Sequence, residues 1–264
     1  MSAATQVWGD VSVQLQTARL RHFADLGLGE TLRRDGAFAI VTGTVSNVEN
    51  GIVSARADVE PGVAEELVAW VRDRDKPASW GAETAVDDEL HATLLGLGCH
   101  EETTGVDMGA RLSDLELPDR PPAGIAVEDV FDERALRLWT EVAASTELLD
   151  DAEDRAEQER LYANAGLGPD RTIRHWLALR DGEAVGMATG FFQGGATLLE
   201  HIAVRPEEQR SGIGAALVAY WRGKAQQLGC EVGVLGPTPD SQKFYERLGF
   251  TLTRVRPRHW YYLA

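Results

Sequence analysis

Leu198-Leu199-Glu200-His201-Ile202-Ala203-Val204-Arg205-Pro206-Glu207-Glu208-Gln209-Arg210-Ser211-Gly212-Ile213-Gly214 is the stretch whose reading decides the fold. An apolar run stops at Pro206, which lacks the backbone donor a central strand needs. A polar loop follows, and Gly212-x-Gly214 opens a segment with apolar residues at helical spacing. Glycine lets the backbone turn tightly and approach a ligand with no Cβ in the way. The first amides of the helix have no intrahelical partner and point along the positive end of its dipole. Such a terminus suits a pyrophosphate. A dinucleotide fold would need Gly-x-Gly-x-x-Gly within repeated βαβ units, and the sequence has neither. Strand alternation predicts Glu200, Ile202 and Val204 on one face, with His201 and Ala203 on the other.

Working outward, Gly214–Leu228 is predicted helical with Gly229 as its C-cap. A strand at Glu231–Leu235, a helix at Ser241–Leu248 and one or two closing strands within Phe250–Leu263 follow. On the N-terminal side, Ala196–Val204 and Ala184–Phe192 read as strands about Gln193-Gly194-Gly195. Arg180-Asp181-Gly182-Glu183 is a hairpin turn back to His175–Leu179. Gly124–Val130 is a short strand, and Asp132 is an N-cap for a helix bearing Leu136, Trp139, Val142 and Ala143. The acidic run Asp150–Glu159 leads through Leu161 and Tyr162 into a second helix ending near Gly166 or Gly168. The order β-α-α-β-β-β-α-β-α-β predicts a mixed α/β (α+β) unit, a sheet flanked by helices.

Pro118, Pro121 and Pro122 place a linker at residues 118–123, between units at 1–117 and 124–264. In the first unit, Phe38–Val45 and Gly51–Val59 read as strands near an Asn50-Gly51 turn. Pro61–Val71 reads as a helix, Ser79-Trp80 as a strand, Asp87–Leu97 as a helix and Thr103–Leu112 as a closing strand. Leu94-Leu95-Gly96-Leu97-Gly98-Cys99 occupies a place like that of Tyr245-Glu246-Arg247-Leu248-Gly249-Phe250. That similarity suggests a duplication whose first copy has decayed.

The run Gln209-x-x-Gly212-x-Gly214 resembles the coenzyme A signature of the GNAT superfamily of acyl-CoA N-acyltransferases. Ser241-Gln242-Lys243-Phe244-Tyr245-Glu246-Arg247-Leu248-Gly249-Phe250 is similar to the family's Tyr-Glu-Lys/Arg-Leu-Gly-Phe element. Two elements in order with a strand between them are more specific than either alone, and the resemblance covers roughly residues 124–263. It implies a GNAT-type sheet in tandem with a degenerate first copy, and acetyl-CoA (or another acyl-CoA) as co-substrate with no metal. By position, the backbone of Ile202, Ala203 and Val204 would pair with the pantetheine arm. The loop Gln209, Arg210, Ser211, Gly212, Ile213, Gly214 and Ala215 would hold the pyrophosphate, the amides of Arg210 to Ala215 doing so directly. Arg210 would add positive charge there or stand as a solvated loop residue.

Tyr245 matches the family tyrosine beside the thioester sulfur, where a phenol can protonate the departing thiolate. Its plain alternative is a core aromatic. Glu200 could take the amine's proton as general base, anchor a cationic substrate or close a structural ion pair. His201 reads as a packed or surface histidine before it reads as a base. Many family members carry an Asn after the next strand. Here the segment is Gly236-Pro237-Thr238-Pro239-Asp240-Ser241, so Thr238, Asp240 or Ser241 would have to supply those polar contacts. The first copy has no Gln-x-x-Gly-x-Gly, which argues against a second CoA site, while Asn47–Gly51 could wall an acceptor pocket.

Composition narrows the partners. A net charge of −16 argues against nucleic acid and favours cationic small molecules by long-range attraction, besides keeping the chain soluble. No apolar run reaches the ~18 residues of a membrane span, and Met-Ser-Ala-Ala-Thr-Gln lacks the pattern of a signal peptide. Cys99 and Cys230 are too few for a disulfide framework. These readings predict a cytoplasmic enzyme acetylating a small-molecule amine (a metabolite, amino acid or aminoglycoside-like antibiotic), with a homodimer as a compatible assembly. Protein or peptide N-acetylation is one alternative, and a non-catalytic CoA-binding sensor or assembly domain is another.

Overall fold

Apolar side chains gather around two separate sheets. The computed structural model describes residues 3–103, 106–146, 148–149, 152–254 and 257–263. Asp150 and Asp151, at the start of the predicted acidic helix, and residues 104–105 and 255–256, within predicted closing strands, lie outside the described residues. The chain divides into two compact units, Met108–Leu252 and Met1–Asp107 with Thr253–Ala264. Among the described residues no helix is long and apolar enough to cross a membrane.

The unit Met108–Leu252 follows the predicted order: β7 (Ile125–Asp129), α4 (Glu133–Ala144), α5 (Ala152–Ala165), β8 (Ile173–Arg180), β9 (Glu183–Gln193), β10 (Ala196–Val204), α6 (Ile213–Gln227), β11 (Val232–Leu235), α7 (Gln242–Arg247) and β12 (Thr251–Arg254). Asp132 caps α4 by accepting from the Ala135 amide at 2.8 Å. That fixes the stripe of Leu136, Trp139, Val142 and Ala143, all buried. β7 to β10 pair antiparallel in sequence, and β10 runs parallel to β11. Both faces of this sheet are covered. Leu199, Leu217, Trp221 and Leu235 share one core, while α4 packs against β8, β9 and β10.

The other unit carries the sheet β1-β2-β3-β4-β13-β5. Its strands are β1 (Glu30–Arg34), β2 (Ala37–Val41), β3 (Gly51–Ser54), β4 (Ala78–Ala82), β5 (Cys99–Glu101) and β13 (Trp260–Leu263). Helices α2 (Pro61–Arg72) and α3 (Asp88–Gly96) share a core with Ile52, Trp80 and Tyr261, and α1 (Ala3–Asp25) lies against β3 and β4. The predicted strands 38–45 and 51–59 therefore stop earlier, and α1, β1 and β5 are additional. Asn50, expected in a turn, is wholly buried. Its side chain accepts from Thr42 and donates to the carbonyls of Thr44, Ser46 and Pro77.

The two halves repeat one plan, with an exchange at the end of each. Strand–helix–strand–helix–strand runs β3-α2-β4-α3-β5 in the first and β10-α6-β11-α7-β12 in the second. Gly98 (φ 78°) and Gly249 (φ 96°) follow the matching helices in the left-handed region. The next strand of each half pairs in the other half's sheet. β6 (Val106–Arg111), expected to close the first unit, pairs antiparallel with β11. β13, expected in the second, lies between β4 and β5. A Cβ on Gly81 would sit 2.6 Å from Cζ3 of Trp260, so this glycine makes room for the inserted indole. The division at Asp107 and Thr253 thus differs from the proline linker at 118–123, because strand pairing rather than chain punctuation sets which residues pack together.

Candidate active site

The open feature of the second sheet lies between β10 and β11. Their parallel register runs Ala196↔Val232, Thr197↔Gly233 and Leu198↔Val234, and goes no further. β10 continues to Val204, while β11 ends at Leu235 ahead of Gly236-Pro237-Thr238-Pro239. Two prolines cannot donate to a ladder, so β11 has no means of following β10. The β10 edge beyond Leu198 is left without a strand neighbour on the β11 side, and Glu200–Val204 are only partly buried.

A bulge shapes that edge. Glu200 pairs with Thr189 and Ala203 with Met187, so His201 and Ile202 together oppose Ala188. His201 takes φ 45°, a conformation uncommon for a residue other than glycine. The expected alternation therefore fails here. Cross-strand partners share a face, which puts Glu200 and Ala203 with Thr189 and Met187. The ring of His201 meets Trp139 and Tyr162 at centroid distances of 5.8 and 6.2 Å, on the same α4/α5 side. Ile202 and Val204 pack instead against the core that holds α6. The extra residue moved Glu200 away from Ile202 and Val204.

On the α4/α5 side, one row crosses three strands: His175, Thr189 and Glu200. The Thr189 hydroxyl lies 2.8 Å from Nδ1 of His175. Tyr162 leans on His175 at 4.2 Å between centroids, and Trp139 meets Tyr162 edge-on at 5.5 Å. Sequence reasoning singled out Glu200 and His201 but not Thr189 or His175. Tyr162 and Trp139 entered it only as core positions of helices. The Asp181-Gly182 turn alone would set His175 opposite Ala188, and a one-residue shift between Ala178 and Leu179 brings it opposite Thr189 instead.

The loop beyond β10 is anchored from both sides. Gln209 Nε2 donates to the Val204 carbonyl at 3.2 Å, and Ser211 donates to that of Glu208. Arg180 pairs with Glu208 at 2.9 Å. Arg210 (φ 61°) and Gly212 (φ 89°) turn the chain into α6. Gly212 is the N-cap of α6, with no side-chain capping bond, so the first amides of the helix receive no acceptor from it. Ile213 buries its side chain in the core, which leaves only its backbone facing the loop. Ala215 is partly buried. A Cβ on Gly214 would lie 3.3 Å from Phe244 Cζ, so close packing of α7 accounts for that glycine as well. The Ser241 hydroxyl is engaged with Thr238, donating to its carbonyl at 3.0 Å.

Tyr245 sits on α7 within the core, 4.9 Å from Phe244 and 5.8 Å from Phe250 between ring centroids. Burial pushes its phenol pKa well above the usual value, so it stays protonated at neutral pH.

Among the described residues of the first unit nothing comparable stands. β3 and β4 pair without a break from Gly51↔Ser79 to Ser54↔Ala82. α2 begins at Pro61 behind the N-cap Glu60, whose negative charge near the helix start disfavours a bound anion.

Residues 136–250 match the family described as Acetyltransferase (GNAT) family, so the chain carries a GNAT acetyltransferase domain. It is similar in fold to a GCN5-related N-acetyltransferase from Kribbella flavida, at TM-score 0.61 and 16% identity, covering 99% of this chain and 95% of that one. A conserved protein of unknown function from Staphylococcus epidermidis superposes at TM-score 0.60 and 15% identity, covering 91% and 95%. A tandem GNAT protein from the clavulanic acid biosynthesis pathway gives 0.51 and 14%, covering 93% and 94%. The two-sheet plan is thus a tandem GNAT fold. No curated protein sequence matches the chain.

Proposed function

We propose that the unit Met108–Leu252 is an N-acetyltransferase that moves the acetyl group of acetyl-CoA onto an amine of a small molecule. The observation that carries this reading is an open strand edge leading to an uncapped helix start. Beyond Leu198, β10 has no β11 partner, and at its far end the turn at Gly212 opens α6. An extended amide-bearing arm can pair along such an edge while its pyrophosphate takes the first amides of the helix. Ile202, Ala203 and Val204 supply the edge, and Gln209–Ala215 the cradle. Ser241 offers a polar contact only by giving up its bond within the Thr238 turn.

In the reaction, the amine nitrogen forms a bond to the thioester carbonyl carbon and the C–S bond breaks. The amine's proton goes to Glu200, directly or through water, and the departing thiolate takes the proton of Tyr245. The raised phenol pKa keeps that proton available at neutral pH. Glu200 stands on the sheet face with His201 and Thr189. A carboxylate there, on a chain of net charge −16, also favours a cationic amine. The first copy holds no second acetyl-CoA, a reading supported by Glu60 and by the unbroken β3/β4 pair.

Thiol release from acetyl-CoA, measured against a panel of amino acids, polyamines, aminoglycosides and peptides, tests this directly. Turnover with a small amine and one acetyl-CoA bound per chain are the expected results. Turnover with peptides only would move the assignment to protein acetylation. Acetyl-CoA binding without any release would move it to a sensor.

A further inference from the structure

We propose that Trp139 is a positioning residue for acyl transfer, its indole N–H holding β10 in the bulged register that presents Ile202–Val204 to the pantetheine arm. The proposal rests on the acetyl-CoA reading above.

The bulge is not self-supporting. His201 at φ 45° is a β-bearing residue in the left-handed region, and such residues persist where their surroundings hold them. The residue opposite the bulge is Ala188, since Glu200 and Ala203 take Thr189 and Met187, and its carbonyl lies at the irregular step. Trp139 Nε1 donates to that carbonyl at 3.2 Å, in a buried setting. The same indole meets the His201 ring edge-on, 5.8 Å between centroids at 75°. One side chain on α4 therefore touches both strands of the irregular step, its donor on β9 and its ring on the bulged residue of β10. Trp139 is itself wholly buried, and Asp132 caps the helix that carries it.

The alternative for β10 is a regular ladder, in which each residue after Glu200 faces one on β9. Ile202 would then oppose Met187 and Val204 would oppose Val185, so both side chains would leave the α6 core for the α4/α5 face that carries Glu200. The backbone groups offered at the open edge would change with the side chains. A donor that satisfies the Ala188 carbonyl in the bulged state favours that state, because a buried carbonyl left unmet is costly.

Trp139→Phe keeps a ring and removes the donor, and Trp139→benzothienylalanine keeps the full ring shape with sulfur in place of N–H. Two ligands separate positioning from general damage in calorimetric titration. Acetyl-CoA uses the β10 edge, whereas 3′,5′-ADP lacks the pantetheine arm. In both variants acetyl-CoA affinity should fall about tenfold, the worth of one buried hydrogen bond, with 3′,5′-ADP affinity changed less than about twofold. Equal losses for both ligands would mean loosened packing and overturn the proposal. Native acetyl-CoA affinity in the benzothienylalanine variant would overturn it too, since the N–H would then have no role. Wild-type protein that binds neither ligand overturns the acetyl-CoA reading, and this inference with it.

Discussion

Asp107→Asn should stabilise the unit formed by Met1–Asp107 and Thr253–Ala264, by an amount that grows with pH. Asp107 begins the second residue of β6, is 4% exposed, and leaves Oδ2 with no hydrogen-bond partner. Burial first, and then the nearby Glu102 carboxylate, push its pKa from 3.8 up to about 6, against a hydrogen bond from Ser12 that lowers it. The native state therefore holds this proton more tightly than the unfolded chain does. At low pH both states are protonated and no penalty exists. As pH rises from about 4 to 6 the native state must give up a proton it favours, and stability falls. Integrating over the two pKa values gives a cost of about 1 kcal/mol at pH 4.5 and about 3 kcal/mol at pH 7.5. Asparagine keeps an acceptor for Ser12 and removes the ionisation. Scanning calorimetry of wild type and variant at the two pH values is the assay. A midpoint raised by several degrees at pH 7.5, with a smaller rise at pH 4.5, is expected. A pH-independent difference, or destabilisation at pH 7.5, would refute the reasoning.

Four further outcomes can be checked alongside. Gly212→Asp forces a side chain into φ 89° with its Cβ near 3.1 Å from Pro122 Cγ, and sets a negative charge at the helix start. Thermal stabilisation by acetyl-CoA should vanish, and native affinity would remove the loop assignment. Tyr245→Phe should lower kcat by about a hundred- to ten-thousand-fold with acetyl-CoA affinity little changed, as steady-state kinetics would reveal. Glu200→Gln should lower kcat and flatten the acidic limb of the pH–rate profile if it is the base, whereas a raised amine KM at constant kcat would mark it as an anchor. Asn50→Ala breaks the bonds to Thr42, Thr44, Ser46 and Pro77, and should cost about 2–4 kcal/mol in chemical denaturation.

The second unit was legible because its punctuation is local. Asp132, Asp181-Gly182, Gly194-Gly195 and Gly229 each fix an element end through backbone chemistry, and the structure keeps every one of those ends. The first unit hides its longest helix for an equally physical reason. α1 buries Ser12, Thr17 and Arg19 beside Val13, Leu15, Leu20 and Phe23, so no apolar stripe at helical period shows in the sequence. β1 reads Glu-Thr-Leu-Arg-Arg along an exposed edge and shows no alternation either. The exchange of β6 and β13 was closed to any local reading. A strand's pattern tells which face is apolar, but not which edge it will join.

The candidate site divides along the same line. Its donor side consists of strand edge and helix amides, and such backbone features announce themselves through prolines and glycines: Pro206, Gly212, Gly214, Pro237 and Pro239. The side facing α4 and α5 is made of side chains from separate segments, Trp139, Tyr162, His175, Thr189, Glu200 and His201. Whether His201 joins the others depends on one inserted residue at His201-Ile202, because a regular strand would turn His201 toward the α6 core and away from Trp139. Strict alternation, applied to a strand that breaks it, put Glu200 beside Ile202 and so on the wrong side. The bulge couples the two sides. The same irregularity that aims His201 at the α4/α5 face beside Glu200 also sets which backbone groups of Ile202–Val204 reach the open edge. A change that regularised β10 should therefore disturb donor binding and acceptor chemistry together, although neither Trp139 nor Ala188 lies on that edge.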